Sequence, residues 1–128
     1  QIYFGMMDLY LYSNEIKSED EIIKVQKDFA KKYLVTPVVD EDRFLCSFSH
    51  IFAGEYSAGY YSYKWAEVMA ADAFAVFKQH GIYNTTYSKK FLHCILEKGG
   101  SEDAGVLFKD FRGHDPDINA LLKQDGIS

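Results

Sequence analysis

Apolar residues recur at helical spacing along most of the chain, in blocks separated by turn-forming residues. From Ile2 to Tyr12 the positions Phe4, Met7 and Leu11 share one helical face. Ser18-Glu19-Asp20-Glu21 has the Ser-x-x-Glu form of a capping box, with acids at the positive end of the helix it would start. Ile22, Val25, Phe29 and Tyr33 mark the apolar face of that second helix, and Thr36-Pro37 stops it, because proline disfavours helical geometry at the residue before it. Val38 to Cys46 reads as an exposed acidic loop leading into a short extended piece.

The longest periodic segment runs from Gly59 to His80. With about 100° between successive residues, Tyr61, Trp65, Val68, Met69, Asp72 and Val76 fall in one sector, and Tyr60, Tyr63, Ala70 and Phe74 on the opposite side. A helix apolar on both sides is normally buried in something larger than itself, and Ala66, Ala70, Ala71, Ala73 and Ala75 would let neighbours approach closely. Gly81 ends it by tolerating the left-handed conformation beyond a helix C-terminus. Three shorter helices follow. Asn84 or Thr85 starts the first, with Phe91, Leu92 and Ile95 as its face and Gly99-Gly100 as its end. Ser101-Glu102-Asp103 caps the second, which should bury Val106, Leu107, Phe108 and Phe111 before Gly113. Asp115-Pro116 opens the third, with Ile118, Leu121 and Leu122 inward. The pattern predicts an all-α chain, a compact multi-helix unit with one irregular Gly/Tyr-rich loop.

At 128 residues, 48% of them hydrophobic and with 10 Phe and 10 Tyr, the chain can build one core and is expected to form a single unit. A net charge of -5 with dispersed acids leaves no basic stripe for a phosphate backbone, so nucleic acid is not an expected partner. No apolar run approaches the roughly 20 residues of a membrane span, and no basic-then-apolar leader opens the chain. Cys46 and Cys94 have neither metal-ligand spacing nor disulfide-scaffold density, and are expected to be reduced, mostly buried thiols. The chain opens on Gln1 without an initiator Met and runs at once into Ile2-Tyr3-Phe4-Gly5-Met6-Met7, which reads as the interior of a longer protein.

Candidate chemistry concentrates between Phe48 and Tyr63, where one His, two glycines and four tyrosines lie at the entrance to the long helix. Glycines there would permit turns that other residues resist, as a substrate-contacting loop often requires. Tyr60 and Tyr63 form an i, i+3 pair, with Tyr61 on the other side beside Trp65. On the residues alone two readings stay open. The phenols can donate to a carbonyl oxygen that is gaining negative charge, or they fill a core and bond to nearby backbone carbonyls.

The run His50-Ile51-Phe52-Ala53-Gly54-Glu55-Tyr56-Ser57-Ala58-Gly59-Tyr60-Tyr61-Ser62-Tyr63-Lys64-Trp65 resembles the tyrosine and glycine loop near the C-terminus of the thimet oligopeptidase, oligopeptidase A and peptidyl-dipeptidase Dcp family of zinc peptidases, which implies an oligopeptidase or a peptidyl-dipeptidase acting on short peptides. Ala70-Ala71-Asp72-Ala73-Phe74, Gly99-Gly100-Ser101-Glu102, Phe111-Arg112-Gly113 and Gly126-Ile127 resemble the family's last segment in the same order. The resemblance implies the C-terminal part of a larger helical catalytic domain. In that domain a Zn2+ ion, held by a His-Glu-x-x-His helix and a downstream Glu, activates the water that attacks a peptide carbonyl. Carried over by position, Tyr63 corresponds to the tyrosine that stabilises the oxyanion. Tyr56 and Tyr60 correspond to substrate contacts, His50 to a histidine that binds the peptide backbone, and Gly54 and Gly59 to the glycines of the substrate-binding loop.

Two departures qualify this. The chain has no His-Glu dipeptide, so neither the zinc-binding histidines nor the general base is present, and His80, His93 and His114 read as surface or structural. Glu55 stands where many relatives have Gly, which would either stiffen the backbone or turn a negative charge towards the cleft. The expected partners are therefore short peptide substrates and the N-terminal part of the same cytoplasmic enzyme, with no metal site in the chain itself. Alone, the chain should be inactive and prone to self-association through exposed apolar surface. The alternative is a freestanding helical module that binds a peptide or protein without catalysis.

Overall fold

A computed structural model describes residues 1–127 and divides them into two compact units, one from Gln1 to Lys64 and the other from Trp65 onward. Among the described residues every regular element is helical.

In the first unit, α1 (Ile2–Ser13) and α2 (Glu19–Tyr33) enclose a core of Tyr3, Met7 and Ala30, with Val25, Phe29 and Tyr33 packed against it. The Ser18 hydroxyl accepts the Glu21 N–H at 3.2 Å. The return bond of the box lands one residue early, the Glu21 carboxylate accepting the Lys17 N–H at 2.9 Å. α2 ends at Tyr33, with Leu34 extended ahead of Thr36-Pro37. Gln26, on the polar side of the sequence pattern, is buried and donates to Asp42 at 2.6 Å.

The acidic loop does not lead into an extended piece: Phe44–Ser47 is a turn of 3-10 helix. Aromatic packing accounts for this, since the Phe44 ring stacks on Phe4 at 4.8 Å and lies 4.7 Å from Phe48. Extension would carry it out of that cluster. The same turn leaves Cys46 exposed, against the expectation of a mostly buried thiol, whereas Cys94 is largely covered; both are free thiols. The unit continues through the short α3 (Ser49–Phe52) to the start of α4 (Ser62–His80).

In the second unit, α4 buries Val68, Ala71, Asp72 and Val76. It leaves Trp65 54% and Phe74 43% exposed, the apolar surface anticipated from its two-sided pattern. Gly81 follows with φ +100°. α5 (Thr85–Phe91) is capped by Asn84, whose side chain accepts the Thr86 and Tyr87 N–H groups, and runs on as a single π-helical stretch, Leu92–Leu96. α6 (Ala104–Arg112) is capped by Asp103, whose carboxylate accepts the Gly105 and Val106 N–H groups, and stops at left-handed Gly113. Leu107, Phe108 and Phe111 are buried, but Val106 is half exposed, as is Ile118.

α7 spans Asn119–Gln124, later than Asp115-Pro116 suggests. The reason is Asp72. This buried carboxylate accepts Arg112 Nε at 2.9 Å and Nη2 at 2.8 Å, and takes the Asp117 N–H at 2.8 Å. The bond holds Asp117 outside the helix, and its own carboxylate then accepts the Asn119 N–H at 3.0 Å where the helix begins. The histidines of this unit contact near neighbours in the chain, and His114 also lies 3.9 Å from the Asp72 carboxylate. His80 stacks on Tyr87, His93 pairs with Glu97 at 2.7 Å, and the His114 ring contacts the Asp115 carbonyl at 2.7 Å.

Candidate functional site

The Gly/Tyr-rich loop is folded back on α3 by its own backbone. Gly54 N–H donates to the Ser49 carbonyl at 2.9 Å and Tyr56 N–H to the His50 carbonyl at 3.1 Å. The Ile51 carbonyl accepts both the Ser57 hydroxyl, at 2.8 Å, and the Tyr12 hydroxyl from α1. A turn from Tyr56 to Gly59 then delivers the chain to α4, which starts at Ser62. Tyr60 therefore lies in the turn before the helix. Its carbonyl still accepts the Tyr63 N–H at 3.3 Å, so the i, i+3 relation survives.

His50, Tyr56, Tyr60 and Tyr63 come together. The Tyr63 ring lies 5.0 Å from Tyr56, stacked, and 5.0 Å from Tyr60, tilted. His50 meets Tyr60 edge-on at 5.7 Å and Tyr56 at 6.2 Å. Burial separates their possible roles. Tyr60 is 6% exposed and packs with Phe48 and Ile51, whereas Tyr56 is 37% exposed and His50 is open to solvent. Tyr63 is half-buried at the edge of the same cluster. Tyr61 points elsewhere and is exposed. A hydrogen bond with Tyr56, and then burial, holds the Tyr63 phenol above its ordinary pKa. The neutral phenol, sharing its proton with Tyr56, is thereby favoured over the phenolate.

The glycines act differently from the expectation. The left-handed positions in the loop are Glu55, at φ +65°, and Ala58, at φ +54°. Gly54 is needed for space: a Cβ there would meet the His50 Cα at 2.9 Å and the His50 carbonyl oxygen at 3.0 Å, both backbone atoms. At Gly59 a Cβ would make only ordinary contacts, the nearest at 3.6 Å.

One residue of this site escaped the sequence reading. Asp8, fully buried on α1, accepts the Ala58 N–H at 2.8 Å through one carboxylate oxygen and the Tyr60 N–H at 2.9 Å through the other. Charge-assisted bonds of this kind contribute about 1.5–3 kcal/mol each. The signal was present: Asp8 is the lone acid in the apolar run from Ile2 to Tyr12, a place where a carboxylate must find donors or be lost from the core.

The model of peptidase family M3 matches residues 1–127. The chain belongs to that family. It is 45% identical over 128 residues to oligopeptidase A of Haemophilus influenzae and 44% identical over 129 residues to oligopeptidase A of Escherichia coli; each match covers 99% of this chain and 19% of the relative. A dipeptidyl carboxypeptidase of Salmonella typhimurium is 34% identical over 102 residues, 80% of this chain and 15% of that protein. The chain thus spans about a fifth of the oligopeptidase A relatives it matches. The zinc expected of an M3 peptidase does not fit the residues at hand: among those described, no group of three or more His, Cys, Asp or Glu could hold a metal ion. What this stretch of an M3 protein carries is a tyrosine cluster, a neighbouring histidine and the carboxylate beneath them.

Proposed function

We propose that this chain is the substrate-facing C-terminal part of a zinc-dependent M3 peptidase of the oligopeptidase A kind, which hydrolyses short, unstructured peptides. In this reading the zinc and the general base come from sequence outside the chain. Tyr63 donates its phenolic proton in a hydrogen bond to the peptide carbonyl oxygen as that oxygen becomes negative, an interaction that lowers a barrier by about 3 kcal/mol when the donor is fixed in place. Tyr56 and His50, both exposed, contact the peptide backbone, and Tyr60, expected from the sequence to touch substrate, instead braces Tyr63 from the buried side. Gly54 lets the loop close on His50, and Gly59 adds a backbone contact to substrate at the end of the loop.

The observation that carries the proposal is the convergence of His50, Tyr56, Tyr60 and Tyr63 in one cluster, with Tyr63 at its half-open edge. Core packing alone would favour a fully enclosed ring, as at Tyr60. Hydrolysis of a short peptide by the enzyme translated from the complete reading frame, with and without a zinc chelator and with the 128-residue chain as control, tests it. The expected result is chelator-sensitive cleavage by the complete enzyme and none by the chain. Peptide binding without cleavage in the complete protein would contradict the proposal and favour a helical peptide-binding module.

A further inference from the structure

The loop that carries the tyrosine cluster is not held by its own contacts alone. Asp8 and Tyr12 lie one turn apart on α1, and both reach the loop. Tyr12 donates to the Ile51 carbonyl at the loop's start, while Asp8 accepts the Ala58 and Tyr60 N–H groups at its end. Gly5, one turn before, brings the α1 backbone close enough that a Cβ there would sit 3.7 Å from the Tyr61 Cα.

The end of the loop held by Asp8 is also one of its two strained places. Ala58 has φ +54°, a conformation that an L-residue with a Cβ adopts at a cost and keeps only where its surroundings over-determine it. A carboxylate with both oxygens bonded to N–H groups two residues apart does that: it fixes the direction of Ala58 and Tyr60 together, and through Tyr60 the ring against which Tyr63 rests at 5.0 Å. The carboxylate itself is fully buried and touches no part of the exposed face of the cluster, so its effect on chemistry has to pass through the loop.

We infer that Asp8 is a positioning residue of the M3 site, a buried carboxylate on α1 whose two hydrogen bonds set the Ala58–Tyr60 turn and so aim the Tyr63 phenol at the scissile carbonyl. This rests on the proposed role of Tyr63. Asparagine at position 8 has nearly the same shape but turns an NH2 group towards one of the two N–H donors, which breaks one bond and repels the partner.

The test is a cycle of Asp8→Asn, Tyr63→Phe and the double variant in the complete enzyme, read as kcat and KM on a short peptide, with zinc content and hydrogen exchange measured alongside. Small misplacement of a reacting group costs up to about 100-fold in rate. Asp8→Asn should lower kcat by roughly 10- to 100-fold with zinc content unchanged and KM changed far less, and its hydrogen exchange should quicken selectively in the peptide containing Ala58 and Tyr60. In the Tyr63→Phe background the same substitution should cost less than about 3-fold, because the phenol it aims is already gone. An unchanged kcat, or a loss that simply multiplies with that of Tyr63→Phe, overturns the inference. If Tyr63→Phe leaves kcat unchanged, the role of Tyr63 is what fails, and exchange then decides for Asp8: retained protection at Ala58 and Tyr60 overturns it, and lost protection supports it. Should Asp8→Asn fail to fold, Asp8→Ser, which keeps one acceptor in a smaller side chain, gives the same readouts.

Discussion

Replacing Glu55 by glycine should make the protein more stable although it removes a charged side chain from the candidate site. Glu55 sits at φ +65° with its side chain exposed. The left-handed conformation costs an L-residue about 1–2 kcal/mol. Glycine removes that cost but loses roughly 0.5–1 kcal/mol more backbone entropy on folding. The exposed side chain contributes little contact, so the net gain is about 0.5–1 kcal/mol, or a few degrees in Tm for a chain of this size. Glu55→Ala supplies the control, because alanine keeps the left-handed penalty and removes the same carboxylate. Thermal unfolding of the three proteins, followed by circular dichroism, should give Glu55→Gly the highest Tm and Glu55→Ala a value close to that of the parent. A Glu55→Gly protein no more stable than Glu55→Ala would refute the assignment of strain to this position. Peptide-cleavage preference, measured with the same substitutions in the complete enzyme, then separates the two consequences of Glu55. A change shared by both belongs to the charge, and a change seen only with glycine belongs to the backbone.

Two further outcomes follow from buried polar groups. Asp72 is 1% exposed and paired with Arg112, so Arg112→Met removes its one permanent cation, leaving only the Asp117 N–H and the nearby His114 ring, and should cost about 3 kcal/mol in urea denaturation, with Asp72→Asn in the same chain recovering much of it. The Tyr3 hydroxyl is buried without a hydrogen-bond partner, so Tyr3→Phe should stabilise by about 1 kcal/mol. Burial, and then the Asp42 charge, pushes the Tyr3 phenol up to about 12. A folded-state pKa above the unfolded value favours the folded state below the ordinary phenol range, and that contribution is lost as pH rises through about 12. Tyr3→Phe should therefore resist alkaline unfolding better than the parent, and a coincident alkaline transition in the two proteins would refute this.

Local chemistry made much of the fold legible. Ser18, Asn84 and Asp103 cap the helices they precede, and Gly81 and Gly113 end helices in the left-handed conformation, because each of these effects is decided within a few residues. What the sequence hid depended on partners far along the chain. Phe44 curls into a 3-10 turn to reach Phe4, and Asp72 reaches across to hold Asp117 and so delays α7. The candidate site follows the same division. His50, Tyr56, Tyr60 and Tyr63 were visible as a motif, and their meeting follows from a short loop feeding a helix. Asp8 lies 50 residues from the nearer N–H it accepts, and helical periodicity registers it only as an interruption of an apolar face. Which loop residues take positive φ was hidden for a related reason: glycine is permissive of it, but tertiary contacts set which residue adopts it, and here they chose Glu55 and Ala58.

The central claim is that Tyr63 acts on the transition state of peptide hydrolysis, and Tyr63→Phe in the complete enzyme tests it most directly. The substitution keeps the ring that stacks on Tyr56 and removes only the donor. The variant's kcat should fall about 100- to 1,000-fold, the range for losing one fixed oxyanion donor, with bound zinc and KM close to those of the parent. An unchanged kcat, or a loss of activity matched by an equal loss of zinc, would contradict the claim.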